Sequence, residues 1–382
     1  MPSSTVKITR YYSNLSAYLK PNKVLVIYGP RQVGKTTLLQ DYLIQIKGKI
    51  KFRLDSGDDI RAKEVVGSND FKKIKEYAAG YELIAIDEAH KIKNVGEGLK
   101  ILVDEIPGIK IIATGSSSFE LAGQIGEPLT GRKVTLTLFP VSQIELQNIY
   151  NDYELKSRLD EYLIYGGYPE VAASADFGEK KRILNEIVGS YLLKDILELE
   201  KVKGSKILLD LLRLLAFQVG NEVSLSELGR QLQLDYKTVA RYLDLLEKSF
   251  VLINVRGFSR NLRKEVTKKS KYYFYDNGIR NAVIANFNPL EMRDDIGKLW
   301  ENFLVTERIK KQSYKNIYSN NYFWRTWERK EIDFVEEREG KLFGFEFKWS
   351  GKPAKPPKDW LENYPASSFQ TINPENYLEF IT

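Results

Sequence analysis

The chain has 382 residues, which is more than one typical domain core holds, so we expect two or more domains. It has no cysteine and a single histidine, which excludes disulfides, thiolate zinc sites, iron–sulfur clusters, cysteine nucleophiles and histidine-rich metal sites. Its formal charge is +7, from 58 basic and 51 acidic residues, and this mild excess permits nucleic-acid binding without arguing for it.

The first predicted elements belong to a parallel α/β sheet. From about residue 20 to residue 140, short β-branched runs alternate with amphipathic stretches, which is typical of strands that alternate with helices. The strand candidates are residues 23–29, 51–56, 81–88, 110–116 and 133–139. From about residue 141 to residue 215 the apolar periodicity becomes helical, which predicts a helical lid or bundle.

The next predicted elements form a winged helix. Three helical segments precede two strands, and lysines lie in the connection between the strands. In chain order, the helices are 207–219, 224–234 and 235–249, and the strands are 250–258 and 271–277. After residue 295 the pattern predicts a helix at 298–311 and then four strands between residues 316 and 350.

A phosphate-binding loop is predicted between the first strand and the first helix. Residues 29–36, GPRQVGKT, match G-x-x-x-x-G-K-[ST] at every fixed position. The glycines let backbone N–H groups turn toward phosphate oxygens, Lys35 reaches the β and γ phosphates, and the Thr36 hydroxyl coordinates Mg²⁺. The predicted nucleotide-binding residues are Gly29, Pro30, Arg31, Gln32, Val33, Gly34, Lys35, Thr36 and Thr37. We therefore expect ATP and Mg²⁺ as cofactors.

Two acidic residues end an apolar strand about 50 residues after this loop. The segment LIAIDEA places Asp87 and Glu88 at the end of that strand, where each carboxylate must be solvated or paired. Asp87 can join Thr36 in holding Mg²⁺, and Glu88 can orient and polarise the attacking water. This pair favours hydrolysis over a kinase reaction or nucleotide sensing alone. The alternative is a strand that ends in two solvated acids.

Two further residues are candidates for contacting the γ-phosphate. In ATPases with a glutamate after the Mg²⁺ aspartate, the next strand lies between the P-loop strand and the aspartate strand, so its tip reaches the γ-phosphate. That strand ends at Ser116, our first candidate, with Thr114 second, and the alternative is a serine-rich turn. Arg132 is a candidate for neutralising γ-phosphate charge, within the chain or from a neighbouring subunit, and the alternative is a solvated loop arginine.

Several motifs together resemble those of one group of proteins. GPRQVGKTTLL, LIAIDEA, IIATGSSS, LTGRKVTLTLFPVS, YGGYPE (165–170) and YFYDNGIRN (273–281) are similar to segments of prokaryotic AAA-superfamily ATPases with an uncharacterised C-terminal domain. The resemblance implies an AAA-type core, a winged helix and a C-terminal domain similar to restriction-endonuclease folds. It implies nucleotide binding by the P-loop, and Mg²⁺ and water handling by Asp87 and Glu88. It implies no known physiological substrate.

The predicted architecture is therefore α/β with four parts. They are a P-loop NTPase (AAA-type) core at 1–145, a helical lid at 146–204, a winged helix at 205–285 and a nuclease-like α/β domain at 286–382.

The predicted winged helix offers a candidate surface for double-stranded DNA. Ser224 or Ser226 would cap the first helix of the pair. The exposed residues of the second helix and the wing would be Tyr236, Lys237, Thr238, Arg241, Lys264, Lys268, Lys269 and Lys271. Cations on one face neutralise phosphates, which supplies most of the affinity for DNA. The alternative is a winged helix that packs within the protein or binds a protein partner.

A second Mg²⁺ site is a hypothesis for the C-terminal domain. Asp333, Glu346 and Lys348 fit the D…E-x-K arrangement of metal-dependent nucleases, with Glu301 as a fourth member. A two-residue hairpin turn would set Asp333 opposite Glu346 on one face of the sheet. A three-residue turn would pair Asp333 with Phe345 and separate the two acids. The alternative is a nuclease-like fold with an inactive site.

The sequence favours an ATP-hydrolysing, Mg²⁺-dependent switch or motor of the AAA superfamily that faces DNA or a protein partner. The alternatives are an ATP-gated DNA nuclease and a nucleotide-dependent protein-binding switch with slow turnover. Oligomer formation is left open. The first residues hold no apolar signal segment and no apolar run approaches the ~20 residues of a membrane helix, so we expect a cytoplasmic protein without a membrane partner.

Overall fold

The computed structural model describes residues 7–115, 128–192, 205–260 and 269–382. These residues divide into two compact units. The amino-terminal unit consists of residues 9–139 and 248–250, and the carboxy-terminal unit consists of residues 7–8 and the described parts of 140–247 and 251–382. Within the described ranges, no helix is long and apolar enough to cross a membrane.

The amino-terminal unit is built on a sheet of five strands. In chain order, β1 to β5 are Lys23–Tyr28, Phe52–Ser56, Leu83–Asp87, Lys110–Gly115 and Lys133–Thr137. Their spatial order is β2-β3-β4-β1-β5, and every neighbouring pair is parallel. β4 thus lies between β1 and β3, which confirms the predicted strand order. β1, β3 and β4 are almost wholly buried, which explains their nearly continuous apolar sequences.

Helices of the same unit follow the strands. The described helices are α1 at Lys35–Ile46, α2 at Ile60–Val66, α3 at Phe71–Ala78 and α4 at Val95–Glu105, with 3₁₀ turns at Leu15–Ala17 and Ala89–Lys91. α2 and α3 begin directly after Asp59 and Asp70 respectively. Each aspartate side chain accepts hydrogen bonds from two backbone N–H groups in the first turn of its helix. The alternation of strands and helices agrees with the periodicity of the sequence.

The carboxy-terminal unit starts with short helices. α5 to α9 are Gln143–Leu146, Asp152–Ser157, Leu159–Tyr165, Pro169–Ala173 and Phe177–Glu186, followed by a π-helical turn at Ile187–Leu192. Capping boxes at Ser142 and Asn151 determine where α5 and α6 begin. The predicted helical segment 146–204 is therefore mostly helical as far as residue 192, and residues 193–204 lie outside the described part.

Longer helices and a second sheet complete this unit. α10 to α16 are Ser205–Phe217, Leu225–Leu232, Tyr236–Lys248, Asn277–Val283, Ile296–Tyr314, Lys358–Asn363 and Tyr377–Ile381, with a 3₁₀ turn at Leu290–Met292. The strands β6 to β12 are Glu222–Val223, Leu252–Phe258, Ser270–Phe274, Asn320–Arg325, Glu331–Arg338, Lys341–Phe347 and Ser368–Ile372. They form one sheet in the order β12-β11-β10-β9-β7-β8-β6.

This second sheet joins two segments that the sequence assigned to separate domains. β7, from the predicted winged helix, pairs in parallel with β9, from the predicted nuclease-like domain, so that Phe258 lies opposite Trp324. In a β7–β8 hairpin alone, the outer side of β7 would have unpaired backbone groups. β9 pairs with this side of β7. Strands from both sides of the boundary predicted between residues 285 and 286 therefore belong to one sheet. The described parts of 140–247 and 251–382 lie in one compact unit.

Two of the motifs that carry the resemblance pack against each other in this unit. Asp276 accepts the backbone N–H of Gly167 at 2.7 Å, and a Cβ at Gly166 would lie 2.0 Å from the Asp276 carboxylate. Asn281 donates to the backbone oxygens of Leu163 and Ile164 at 3.1 and 2.8 Å. The contacts satisfy buried polar groups between α7 and α13. These motifs therefore serve packing within the unit.

Candidate functional site

The P-loop leaves the carboxyl end of β1 and enters the first turn of α1. Gly29 and Gly34 have φ values of 150° and 89°, a region that glycine adopts far more readily than other residues. A Cβ on Gly29 would lie 2.0 Å from the carbonyl oxygen of Leu138, so no other side chain fits there. The course of this loop therefore depends on glycine at both fixed positions of the motif.

Lys35 and Thr36 begin α1 directly after the loop. Lys35 is 5% exposed, and its Nζ donates to the carbonyl oxygens of Gly29 and Pro30 at 2.9 and 2.7 Å. These bonds hold the ammonium group against the loop backbone. The Thr36 hydroxyl donates to Oδ2 of Asp87 at 2.7 Å. The two residues predicted to share Mg²⁺ are thus in direct contact.

Asp87 and Glu88 lie at the carboxyl edge of the sheet, beside β4. The Thr114 hydroxyl donates to Oδ1 of Asp87 at 2.5 Å and accepts the backbone N–H of Glu88 at 3.0 Å. Both carboxylate oxygens of Asp87 therefore accept a hydroxyl, from Thr114 and from Thr36, and no described residue forms an ion pair with Asp87. Ser116, our first candidate for contacting the γ-phosphate, lies outside the described residues.

Glu88 occupies an unusual backbone position with basic neighbours. Its φ is 52°, a left-handed conformation that non-glycine residues adopt at an energetic cost and often at functional turns. Its Oε2 lies 3.5 Å from Nε2 of His90 and 4.0 Å from Nζ of Lys91, and Lys91 also pairs with Asp58 at 2.7 Å. Burial, followed by the charges of Lys91 and Lys35, lowers the pKa of His90 to about 4, so the imidazole is neutral at pH 7.

Arg10, which lies outside every sequence motif of the site, supports the P-loop. Its Nη1 donates to the carbonyl oxygen of Val33 inside the loop, and its Nη2 donates to the carbonyl oxygen of Phe139 at 2.5 Å. Because the guanidinium is planar and rigid, two donors with fixed spacing can join the loop to the chain that follows β5. A single arginine before the first strand matches no motif, so the sequence alone held no signal for this role.

Arg132 lies at the wrong edge of the sheet for a role within the same active site. It directly precedes β5, where Lys133 pairs with Val24 at the amino end of β1, whereas the P-loop leaves the carboxyl end of β1. About five residues of extended chain at ~3.3 Å each separate these edges. The Arg132 Nε donates to Oδ1 of Asp104 at 2.7 Å. The predicted contact within the chain is therefore wrong, and a role between subunits stays a prediction.

The acidic pair predicted in the C-terminal segment shares one face of the second sheet. Arg338 pairs with Lys341 across the β10–β11 turn, and the same register continues to Phe334. This confirms the predicted two-residue turn. The pairing ends at Phe334 and Phe345, and the same register would set Asp333 opposite Glu346 at the next position. The Asp333 carboxylate accepts the backbone N–H of Phe347 at 2.8 Å.

A buried lysine occupies the space next to these acids. Lys271, in β8, is 1% exposed, and its Nζ contacts Oε1 of Glu331 and lies 3.2 Å from Oε1 of Glu301. The Tyr273 hydroxyl also donates to Glu301, at 2.7 Å. Burial lowers the pKa of Lys271, but the charges of Glu301 and Glu331 outweigh it and raise the pKa above its usual value. The two carboxylates therefore favour the protonated form of the buried Lys271.

The acids of this cluster are shifted toward their neutral forms. Burial raises the pKa of Glu301 to about 7 and also raises the pKa of Asp333. Burial, and then the charge of Asp333, raises the pKa of Glu346, whose Oε1 lies 2.7 Å from Nζ of Lys348. Among the described residues, no three acidic or histidine side chains are arranged to hold a metal ion. The two carboxylates predicted to hold Mg²⁺, Asp333 and Glu346, thus lie in a cluster that also contains Lys348 and Lys271, and the second Mg²⁺ site stays a prediction.

The predicted DNA-facing helix exposes most of the residues named for it. Tyr236, Lys237 and Arg241 of α12 are exposed, whereas Thr238 is half-buried. The Thr238 hydroxyl donates to Asp235 at 2.6 Å, which helps to cap the helix. Three cationic or aromatic side chains therefore face solvent along one side of α12.

The lysines of the predicted wing have different environments. Lys264 and Lys268 lie outside the described residues. Lys269 is paired with Glu222 at 2.6 Å. Lys271 is buried and cannot reach a DNA phosphate, so that part of the prediction is wrong.

Comparisons with protein families match three parts of the chain. Residues 21–147 match the family described as AAA domain. Residues 156–290 match Domain of unknown function (DUF8612), and residues 296–368 match Domain of unknown function (DUF4143). The match to the AAA domain family thus falls on the unit that contains the parallel sheet and the P-loop.

Curated relatives from bacteria and an archaeon match most of the chain. An uncharacterized protein of Mycobacterium tuberculosis is 26% identical over 334 residues, covering 87% of this chain and 71% of the relative. An uncharacterized protein of Haemophilus influenzae is 25% identical over 373 residues, covering 90% and 86%. One from Methanocaldococcus jannaschii is 26% identical over 347 residues, covering 85% and 74%.

Solved structures give weaker matches. The structure of AMPPCP-bound DnaA from Aquifex aeolicus is 18% identical and covers 58% of this chain and 81% of that chain, with a TM-score of 0.26. The structure of Drosophila ORC bound to DNA is 12% identical and covers 72% and 92%, also with a TM-score of 0.26. At this TM-score neither match carries an argument about this chain.

Proposed function

We propose that this chain binds ATP with Mg²⁺ at its P-loop and hydrolyses it, and that hydrolysis drives a switch or motor. The contact between the Thr36 hydroxyl and Asp87, 2.7 Å from oxygen to oxygen, is the observation that carries the proposal. It joins the P-loop helix to the acidic strand end at the point where hard oxygen ligands for Mg²⁺ are needed.

The residues present fit both cofactors. Asp87 has no cationic partner among the described residues, so its negative charge is available to a divalent ion. Thr36 would hold the same ion through its hydroxyl, and Lys35 would transfer its hydrogen bonds from the carbonyl oxygens of the loop to phosphate oxygens. Bound Mg²⁺ would supply charge neutralisation at the β and γ phosphates.

Glu88 is the residue that would make the site hydrolytic. Its carboxylate follows Asp87 and keeps a solvent-facing part, because 22% of the side chain is exposed. The hydrogen bond from its backbone N–H to Thr114 fixes the turn, so the carboxylate is positioned relative to Asp87. A carboxylate held in this way can accept a hydrogen bond from the attacking water and orient it.

The test separates nucleotide binding from hydrolysis. Glu88→Gln should lower kcat about 100-fold or more while ATP affinity stays near that of the wild type, since the amide keeps the shape but loses the negative charge. Glu64→Gln, on the exposed side of α2, is the matched control and should leave both quantities unchanged. Wild-type hydrolysis by Glu88→Gln would refute the assignment of Glu88.

A role on DNA is a further part of this proposal. The exposed side chains of α12 and the helix–strand–helix–helix–hairpin order from α10 to β8 support a winged helix that contacts double-stranded DNA. ATPase assays with and without duplex DNA test this idea. Stimulation that Lys237→Ala and Arg241→Ala abolish together would support it, and stimulation that they leave unchanged would assign the DNA contact to another surface.

A further inference from the structure

An exposed tryptophan stands at the tip of the β9–β10 turn. Trp327 is 67% exposed, although tryptophan is usually at least partly covered in folded proteins. The turn itself is well ordered by hydrogen bonds: the Thr326 N–H donates to the Lys330 carbonyl at 2.9 Å, and the Arg329 N–H donates to the Thr326 carbonyl at 3.0 Å. The indole is therefore presented to solvent on a fixed support.

A basic loop leaves the same edge of the sheet. β10 is antiparallel to β9 and to β11, so the β9–β10 turn and the carboxyl end of β11 lie at one edge, on neighbouring strands. The chain that follows β11, residues 348–358, has the sequence KWSGKPAKPPK. Its prolines restrict the backbone, which lowers the entropy that the loop loses when it binds a partner.

The far end of this loop returns to the turn. Nζ of Lys330, in the turn, lies 2.8 Å from Oδ2 of Asp359, the residue after the loop. Directly beneath, the rings of Trp324 in β9 and Trp360 in α15 pack edge to face with centroids 5.4 Å apart. Residues 326–330 and 348–358 thus form one continuous surface, which we call the basic edge.

The charge of the basic edge is strongly one-sided. Its two segments contain one acidic residue, Glu328, and six basic residues. The basic residues are Arg329, Lys330, Lys348, Lys352, Lys355 and Lys358. Of these, Arg329, Lys352, Lys355 and Lys358 are exposed and form no ion pair with a described residue.

The neighbouring acids do not cancel this charge. Glu331 lies against the buried Lys271, Glu346 is paired with Lys348 at 2.7 Å, and Asp359 is paired with Lys330. These three carboxylates next to the basic edge therefore already have a cationic partner. The unpaired charge that faces solvent is positive.

We propose that the basic edge binds single-stranded nucleic acid, with Trp327 stacking on an unpaired base and the lysines of 348–358 contacting the backbone. A π face flanked by unpaired cations matches a polyanion that displays flat aromatic bases. An acidic peptide would satisfy the lysines but gives no reason for an indole held out in water. A duplex keeps its bases stacked within the helix, which leaves no base for Trp327.

The proposal does not depend on ATP hydrolysis, so its test omits nucleotide. Fluorescence anisotropy of a labelled 20-residue oligothymidylate with the full-length protein should show saturable binding. Trp327→Ala should weaken binding about tenfold, whereas Trp327→Phe, which keeps an aromatic face, should recover most of the affinity. Tyr318→Ala removes another exposed aromatic residue at the opposite end of β9 and should change nothing.

The contribution of the lysines of the basic edge is measured separately, through the salt dependence of binding. Replacing Lys352, Lys355 and Lys358 together by alanine should reduce the slope of log affinity against log salt by about 2, because each phosphate contact contributes ~0.7 on a single strand. Lys341→Ala, at the start of β11 and at the opposite edge, is the matched control and should keep the wild-type slope.

Two results would overturn the proposal. One is equal affinity of the wild type and Trp327→Ala for the oligonucleotide, including the case in which neither binds. The other is tighter binding of a 20-base-pair duplex than of the strand. An abasic strand is a further control. It has no bases for Trp327 to stack on, so the wild type and Trp327→Ala should bind it with equal affinity. Lys35→Ala should bind the strand like the wild type, so failure of the ATP proposal would be distinguishable from failure here.

Discussion

The two sheets of this protein each place acidic side chains at an edge, but different groups lie against the acids. At the P-loop edge, Asp87 accepts two hydroxyl groups and has no cationic partner among the described residues. At the second sheet, Glu301 of α14 and Glu331 of β10 contact the ammonium group of Lys271, which is 1% exposed. The first site is open to a divalent ion, whereas the second already contains its cation.

The difference shows why acidic residues at strand ends, seen in a sequence alone, can indicate either a metal site or an ion pair. In the sequence, each set of carboxylates comes with a lysine: Lys35 of the P-loop motif for the first site, and Lys348, two residues after Glu346, for the second. In the P-loop site that lysine, Lys35, is bonded to backbone carbonyls of the loop and not to the acids. In the second site the decisive lysine comes from β8, about 30 residues or more from every acid that it contacts. Only folding brings it there.

The largest expected effect tests whether Lys271 is the cation of the second site. Lys271→Met should destabilise the protein by about 2–4 kcal/mol, because it leaves the half-buried carboxylates of Glu301 and Glu331 without their positive partner. Urea denaturation checks this, with Lys269→Met as the control for an exposed lysine of the same strand region. A change in the free energy of unfolding below about 1 kcal/mol would mean that the acids are neutral without Lys271. The second site would then not depend on Lys271 as its cation.

The next effect concerns the open site. Lys35→Ala should lower ATP affinity about 100-fold, since it removes the charge-assisted hydrogen bonds that Lys35 would make to phosphate oxygens. Isothermal titration calorimetry measures this directly. Lys47→Ala, an exposed lysine at the far end of α1, should bind ATP like the wild type. Equal affinities of the two variants would show that the P-loop edge is not the nucleotide site.

A pH experiment tests the neutral imidazole beside Glu88. The pKa of His90 is depressed from 6.5 to about 4 in the folded protein, so the unfolded chain takes up a proton at a higher pH than the folded chain. The stabilising contribution of neutral His90 is present above pH 6.5 and is lost as the pH falls toward 4.

We therefore expect the wild type to lose about 2 kcal/mol more than His90→Gln over this interval. Urea midpoints of both proteins at a series of pH values check this. Parallel pH curves for the two proteins would show that His90 is protonated in the folded state, as an ion-pair partner of Glu88 would be.

The smallest expected effect concerns Arg10, which supports the P-loop of the open site. Arg10→Ala should weaken ATP binding about tenfold, because the carbonyl of Val33 and the chain at Phe139 lose two charge-assisted hydrogen bonds. Arg10→Lys can keep one of these bonds and should lie between Arg10→Ala and the wild type. If both variants bind ATP like the wild type, the loop holds its shape without Arg10.

The candidate ATP site was largely predictable from the sequence because each of its motifs is a short local segment at the end of a strand. The P-loop spans a strand–turn–helix unit, and Asp87 ends the strand next but one in the sheet. Arg132 was misplaced because it precedes its strand, and in a parallel sheet that places it at the amino edge, opposite the P-loop. Arg10 was missed because its contacts, with Val33 and Phe139, are 23 and 129 residues away in the chain.

The second sheet shows the same division between local and long-range information. The β10–β11 register followed from the two-residue turn, since a turn of that length determines every pair in an antiparallel hairpin. The pairing of β7 with β9 did not, because 61 residues separate the end of β7 from the start of β9 and no local rule relates them. That pairing merges two predicted domains into one unit.

By itself, the sequence determined the parallel α/β core, the glycine-dependent phosphate loop, the acidic strand end and the hairpin register, because each depends on short-range periodicity, turn geometry or steric freedom. Only the tertiary structure decided which charges meet. It set Lys271 against Glu301 and Glu331, and it left Asp87 facing hydroxyls. The physical reason is that the environment of a charge depends on burial and on partners from distant segments, and these exist only once the sheets are assembled.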